Sequence, residues 1–300
     1  MGVRKKWVGM ALLLALASTG ATAADINVNP EDGTLADGVY SNRYFGLTFP
    51  LPDEYGPGFD PARPSISGFY VLNTPRDKNA PHELDAPQRS DKHAPVMVIS
   101  AQDMFFSVVP MHNAMDTATD LAHSSATGVP PKVDQPPTER TIGASKFVQV
   151  KTSGQIISHL TLSTDIRCHV VSVSLSSNDS ASLDQFAAKF DKIIAPPDAS
   201  PTGPGTGETG AAPACVKDYA TEETIVHQVQ PRLTGPKFVK IPVRIIIGKD
   251  GKVKHVHVIR ATDDGDKTNI EEKLMKWEFK PYLVNGQPAE VETGLTFENK

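Results

Sequence analysis

Hydrophobic positions along the chain fall into two blocks, separated by a stretch that has almost none. In the first block Phe45, Leu47 and Phe49 alternate with polar neighbours and Pro50-Leu51-Pro52 stops the run, which predicts a strand with one buried face. Phe69–Leu72 predicts another, and Val96-Met97-Val98-Ile99 is a continuous apolar run suited to a strand buried on both faces. Met111, Met115, Ala118 and Leu121 recur at helical spacing. Phe147–Lys151, Gln155–Leu162 and Cys168–Leu175 read as successive antiparallel strands with turns at Ser153-Gly154 and Ser163-Thr164-Asp165. Ser182 and Gln185 have capping-box spacing, and Phe186, Ala187, Phe190, Ile193 and Ile194 share one face of the helix that follows. Residues 39–195 are thus expected to form an antiparallel sheet with flanking helices, class α+β.

The second block is more sharply punctuated. Ile241, Val243, Ile245 and Ile247 alternate, Lys249-Asp250-Gly251 turns the chain, and Lys252–Arg260 returns as the second strand of a hairpin. A helix over 218–229 is expected before it. Thr268 and Glu271 form a second capping-box pattern, with Ile270, Leu274 and Trp277 on one helical face. Phe279–Val284 and Ala289–Phe297 then flank Asn285-Gly286, a strong hairpin signal. Residues 214–300 are expected to be a small second α+β domain.

Between the blocks, residues 195–213 hold nine Pro or Gly among nineteen, with no side chain able to seed a core. Residues 196–213 are expected to be a linker, reaching roughly 60 Å if extended. Charge divides there as well. Residues 25–213 carry 13 basic and 22 acidic groups, residues 214–300 carry 14 and 13, so the halves differ in character. The whole chain has a net charge of −5, with no basic field to favour a nucleic-acid partner. At 39% hydrophobic and 22% charged residues, neither wholesale disorder nor a multi-spanning membrane protein is expected.

Arg4-Lys5-Lys6, the apolar Trp7–Ala17 and Ala21-Thr22-Ala23 have the order of a secretory signal peptide over 1–24. The competing reading is an uncleaved inner-membrane anchor. A periplasmic or secreted address follows from the first, with residues 25–38 as a flexible polar tail. Cys168 and Cys215 could then form a bridge across the linker, or remain two unpaired small apolar residues.

Few side chains suggest chemistry. His255 and His257 lie two apart on a strand and are expected to face solvent opposite Val256 and Val258, one ligand short of a metal site. Cys168-His169 are strand neighbours on opposite faces, unsuited to act as nucleophile and base. His82-Glu83 lacks the second His of a zinc-protease helix, Gly203–Gly207 is followed by no Lys-Ser/Thr, and no Gly-x-Ser-x-Gly occurs. Met97, Met104, Met111 and Met115 read as core filling, and Trp277, Phe279 and Tyr282 as core and rim packing. No enzyme, metal site or cofactor is expected.

Two stretches resemble known families. Asn42-x-Tyr-Phe-Gly-Leu-x-Phe-Pro-x-Pro52 and the amphipathic helix closing the first block resemble the PsbP-like α/β/α sandwich. In the second block, Ile245–Val253, Val256-x-Val258, Lys276-Trp277-Glu-Phe279-Lys-Pro281-Tyr282, Gly286-Gln-Pro288 and Val291–Phe297 resemble the C-terminal domain of the TonB family. That resemblance implies a periplasmic domain that captures a segment of an outer-membrane receptor, or of another periplasmic protein, by adding it as a strand. The implied partner-binding residues are Gln230 and Pro231, matching the family's Gln-Pro, and the last strand: Val291, Glu292, Thr293, Gly294, Leu295, Thr296 and Phe297. A second copy of the chain at the same edge would give a homodimer. Arg232-Leu-Thr-Gly-Pro-Lys237 stands where the family has Tyr-Pro and a short helix. A cleaved N-terminus would also leave no anchor for energy transduction. The alternative is therefore an envelope adaptor, or a lipid- or ligand-binding protein, without energy coupling.

Overall fold

The computed structural model describes residues 29–42, 44–51, 55–56, 69–73, 76–77, 96–107, 112–123, 130–142, 145–154, 157–193 and 213–299. The expected signal segment, His82-Glu83, Met111, Gly203–Gly207 and all of the linker except Pro213 lie outside the described residues. No helix among the described residues is long and apolar enough to cross a membrane.

The first half is a layered α+β unit. Its elements are β1 (Gly33–Ala36), β2 (Val39–Asn42), β3 (Leu47–Pro50), β4 (Tyr55–Gly56), β5 (Phe69–Asn73), β6 (Arg76–Asp77), β7 (Val96–Asp103), α1 (Ala114–His123), β8 (Lys132–Ile142), β9 (Ser145–Ser153), β10 (Ser158–Ile166), β11 (His169–Ser177) and α2 (Ser180–Ile193). Strands β1 to β3 form a small antiparallel sheet, and the large sheet runs β4-β6-β7-β11-β10-β9-β8, with β5 also paired to β7. Strand alternation sorts the side chains onto two faces. Leu160, Leu162, Val173 and Leu175 point to the α2 face with Leu183 and Phe186. Val148, Val150 and Val170 point to the other, against Ala114, Ala118 and Ala122 of α1. The helix buries Ala114, Ala118 and Ala122; of the expected face Ala118 is buried and Met115 packs at the margin, but Leu121 is left 40% exposed. Met97 lies in the core, and Met104 and Met115 pack against the alanine cluster.

The second half contains β12 (Ala214–Cys215), β13 (Ile225–His227), β14 (Lys240–Ile247), β15 (Val253–Val258), α3 (Asp264–Leu274), β16 (Glu278–Phe279), β17 (Tyr282–Val284), β18 (Gln287–Ala289) and β19 (Val291–Glu298). The main sheet has the order β12-β19-β14-β15, and β13-β16 and β17-β18 are short pairs beside it. Ile241, Val243, Ile245 and Ile247 face Ile270 and Leu274 of α3 together with Trp277 and Phe279, so the expected helix-on-sheet core is present. Tyr282 packs at its margin.

Several expectations are corrected. The helix expected over 218–229 is absent. Thr224 Oγ1 instead bonds to the carbonyls of Tyr219 and Thr221, and Thr221 N donates to Thr224 Oγ1, so hydroxyls close turns where a helix would need free backbone. Helix α3 starts ahead of the expected Thr268 cap, because Asp263 accepts from the Asp266 N–H and acidic groups fill the first turn. The chain turns between β10 and β11 at Arg167-Cys168, both at positive φ, rather than at Ser163–Asp165. Part of the expected tail is also structured: β1 pairs with β2 from Gly33 onward.

The halves are not independent. Cys168 and Cys215 form a disulfide with a Cα separation of 5.5 Å across 47 residues of sequence. Closing such a loop removes unfolded-state entropy worth on the order of 4 kcal/mol. Ile259, which follows β15, lies in the hydrophobic cluster of the first half.

Two turn glycines give a stability prediction. Gly251 and Gly286 both adopt positive φ, 78° and 79°. A Cβ at Gly286 meets nothing within 4 Å, whereas one at Gly251 would lie 2.1 Å from the Phe279 carbonyl oxygen. Gly286→Ala should lower the unfolding free energy by about 1 kcal/mol, the left-handed penalty alone. Gly251→Ala should cost at least about 2 kcal/mol in the same urea titration, because the β16 backbone must also move.

Candidate functional site

Two arrangements stand out. One is a buried charge cluster where the halves meet; the other is the partly open edge of β19. They share that strand.

The cluster arises from the face of the C-terminal sheet that does not contact α3. Arg244 on β14 pairs in register with His257 on one side and Gly294 on the other, and Ile246 pairs with His255 and Glu292. By alternation these side chains share one face. Isolated, such a face would be solvated. Here the first half covers it. Arg244 is 1% exposed and its Nη1 lies 2.6 Å from Asp103 Oδ2, at the end of β7. Its Nη2 lies 3.0 Å from Glu292 Oε1, and its Nε donates to the same oxygen at 3.1 Å. Tyr44 donates its hydroxyl to Glu292 at 3.0 Å. Arg167 stacks 4.0 Å over the Tyr44 ring and donates to the Tyr44 carbonyl. Arg244 lies 4.4 Å over the Phe105 ring. Two carboxylates and two guanidiniums balance, which such depth requires.

The electrostatics follow from that balance. Burial alone would push the Glu292 carboxyl up, but Arg244, Arg167 and the Tyr44 hydrogen bond hold it below the ordinary carboxylate value. For Arg244 burial acts against the charge, while Asp103 and Glu292 raise its pKa further still. His169 is fully buried, donates from Nδ1 to the Arg167 carbonyl at 2.7 Å, and is ringed by Tyr44, Phe45 and Tyr70. Burial, then Arg244, drives its pKa well below the ordinary value, so it is neutral. His255 and His257, expected to face water, are 7% and 5% exposed because the first half covers their face. His257 Nε2 lies 3.2 Å from Glu31, ahead of β1. His255 is pushed down to about 4, by burial first and then by the neighbouring His257. No group of ligands among the described residues could hold a metal ion.

The β19 edge is divided. The outer flank expected to be free is occupied over its first half: Ala214 N donates to the Glu290 carbonyl and Val216 N to that of Glu292, in parallel register. Gly294 N donates to the Lys217 carbonyl, and Thr293 Oγ1 bonds to the same carbonyl. Val291, Glu292, Thr293 and Gly294 are therefore closed to a guest, a correction to the expected site. The Glu292 side chain is in addition committed to Arg244. Beyond Gly294 no strand among the described residues pairs with this flank. Groups of Glu292 and Gly294 point outward, so by alternation those of Thr296 do too. Pro242, which has no N–H, sits opposite Thr296 on β14 and turns its carbonyl to Ile259 N instead.

Beside this free stretch is a groove of about 570 Å³ lined by Ile225, Gln230, Lys240, Trp277 and Leu295–Glu298. The structure thus brings Gln230 to the same groove as Leu295, Thr296 and Phe297. Pro231 is half-buried and does not line it. Trp277 forms the groove's wall, fixed by its indole N–H to the Val229 carbonyl at 2.9 Å and edge-on to Phe297. Trp277, Ile225, Lys240 and Glu298 were absent from the sequence-derived site. Of these only Trp277 carried a signal, as an aromatic at the helix end.

No family model matches the chain, and no curated protein matches it at a significant level. Among solved structures the chain is similar to the cyanobacterial PsbP (CyanoP) of Synechocystis sp. PCC 6803, at 15% identity and a TM-score of 0.33, over 59% of this chain and 95% of that one. It is also similar to LpqN of Mycobacterium tuberculosis, described as involved in cell envelope biogenesis, at 13% identity and a TM-score of 0.25, over 50% and 83%. These likenesses are too distant to carry over a fold family or a function.

The cluster yields two predictions. Arg244→Met should destabilise the protein by about 3–5 kcal/mol, because Asp103 and Glu292 are left as buried like charges, and the triple replacement Arg244→Met, Asp103→Leu, Glu292→Leu should recover much of the loss. Equilibrium denaturation of the parent, the single variant and the triple variant checks it. Acid should act through His255. Its folded pKa lies below the unfolded one, so between about pH 6.5 and 4 the unfolded chain binds more protons and stability falls as pH falls. His255→Gln should flatten that slope by on the order of 3 kcal/mol in full across this window, seen in unfolding free energies measured from pH 7 to 4.

Proposed function

We propose that this chain is an exported envelope interaction protein that docks an extended segment of a partner protein along the free edge of β19, and that it acts as an adaptor without energy coupling. The observation that carries the docking reading is the unpaired flank of Leu295–Glu298 beside the groove that contains Gln230 and Trp277. An extended guest would satisfy the outward amide and carbonyl of Thr296. Its alternate side chains would fill an apolar floor made by Ile225, Trp277, Leu295 and Phe297, with Lys240, Glu298 and Gln230 as a polar rim. The TonB-like residue pattern points to the same edge and to a receptor or other periplasmic segment as guest.

The adaptor half of the reading is supported by the weld between the halves. A transducer must extend its terminal domain away from the rest of the chain. Here the Cys168–Cys215 bond and the Arg244 cluster bind that domain to the first half.

The test is a fluorescence-anisotropy titration of the full mature chain with the labelled probe peptide Lys-Thr-Val-Thr-Val-Thr-Val-Lys. Saturable binding is expected. Thr296→Pro removes an outward N–H at an edge position that tolerates proline, and should weaken binding by at least about tenfold with the fold retained. Equal affinity of the Thr296→Pro protein would place the peptide elsewhere and defeat the reading.

A further inference from the structure

The β19 edge already holds a guest, and it belongs to the chain itself. We propose that residues 214–217 are an internal occupant of the docking edge, latched by the Cys168–Cys215 disulfide, and that a dithiol reductant releases them about the Tyr219 anchor and extends the edge from Leu295–Glu298 back to Val291. This deepens the docking reading above and takes its purpose from it.

Four observations support the latch. Strand β12 has only two residues and lies parallel to β19, the weaker of the two ladder types per residue. Its main-chain bonds outside that pairing are few: Ala214 to Glu290 at 2.9 Å, Val216 to Glu292 at 3.0 Å, and Gly294 to Lys217 at 3.3 Å. The β14–β19 ladder, by contrast, spans eight register pairs from Lys240 to Ile247. Side chains anchor the far end of the segment, where Val216 and Tyr219 pack against the second-half core and the Tyr219 N–H and hydroxyl donate to Thr293 Oγ1 and the Lys280 carbonyl, while Ala214 and Cys215 depend on the tether. The tether is well placed: Cys215 is within β12, and Cys168 is in the β10–β11 turn of the other half. Finally, the two cysteines differ in access, since Cys168 is 3% exposed while Cys215 is solvent-exposed.

The exchange balances. One thiolate of the reductant attacks the accessible Cys215 sulfur, forming a mixed disulfide and expelling Cys168 as a thiolate, which is then protonated. The reductant's second thiolate attacks its partner sulfur, closes the reductant's own disulfide and expels Cys215. Two electrons and two protons pass from the dithiol to the two cysteines.

Hydrogen exchange read by NMR on the full mature chain tests this, with thiol content confirmed by mass spectrometry before and after treatment with dithiothreitol. On reduction the Val216 and Gly294 amides should exchange at least about tenfold faster, while β14 amides at Val243 and Ile245 and first-half amides at Leu160 and Leu162 keep their protection. The Cys168→Ser, Cys215→Ser double variant, untreated, should reproduce that pattern. Unchanged protection of Val216 and Gly294 in fully reduced protein would overturn the latch. So would loss of protection spreading through β14, which would make the bond a general staple. Titrating both redox states with the probe peptide separates the two readings: tighter binding after reduction supports both, whereas opening without any peptide binding leaves the latch standing and removes the docking reading.

Discussion

The position of Arg244 constrains this molecule more than any other single feature. A guanidinium 1% exposed, 2.6 Å from Asp103 and 3.0 Å from Glu292, is tolerable only while both carboxylates are present. Asp103 comes from the first half, where its other oxygen accepts the Phe105 N–H at 2.7 Å. Glu292 comes from β19. Separating the halves would hydrate Arg244 and Glu292 together and leave Asp103 beside neutral His169. The network does not add much net stability, since a dry apolar contact of the same shape would serve as well. What it supplies is register: Arg244 can be neutralised in one docking geometry and not in a shifted one.

That docking changes the meaning of the C-terminal sheet. Its α3 face is an ordinary hydrophobic core, built by Ile241, Val243, Ile245 and Ile247. Its other face carries Arg244, His255, His257 and Glu292, a composition suited to water, yet all four are buried. Gly294 belongs to the same face. A Cβ there would sit 2.9 Å from the Phe106 ring, so the first half approaches the bare backbone at that point. The two α+β units are thus distinct in core but continuous in contact, with Ile259 crossing between them.

How much of this the sequence could disclose depended on whether the decisive partner was local. Asn285-Gly286 and Asp250-Gly251 gave their turns correctly, because backbone conformation there is set by the residues themselves. Alternation placed His255 and His257 on the correct face and in the wrong medium, because their cover lies more than two hundred residues away in Glu31 and its surroundings. Strand β8 went unread because Pro136-Pro137 interrupts it. As an edge strand it accommodates them, with register shifts between Val133 and Gln135 and between Gln135 and Thr138. The turn at Arg167-Cys168 lacks the Gly or Asn that marks positive φ; tertiary context holds it, with Arg167 stacked on Tyr44 and Cys168 bonded to Cys215. For the candidate site, Gln230 was suggested only by the family resemblance, and Leu295–Phe297 by that resemblance together with the alternating last strand. The closure of Val291–Gly294 was not legible, because a two-residue parallel strand leaves no periodicity to read. One clue was available and unused: a lone Arg in Ile-Pro-Val-Arg-Ile-Ile-Ile shares its sheet face with Ile246, and such a face is seldom open to water.

Strand β19 therefore has two occupations along its length, and they are coupled by construction. Its first half is fixed on three sides: β14 on one flank, residues 214–219 on the other, and the Glu292 side chain into the cluster. Its second half keeps one flank open beside a groove with an aromatic wall. A guest pairing at Thr296 is positioned against a strand whose register cannot slip, because slipping would draw Glu292 away from Arg244. The buried charges thus hold rigid the edge that a partner would read, and a rigid edge loses less entropy on docking than a mobile one. The same rigidity argues against force transmission: a domain whose edge strand is bonded into its neighbour's core cannot leave that neighbour.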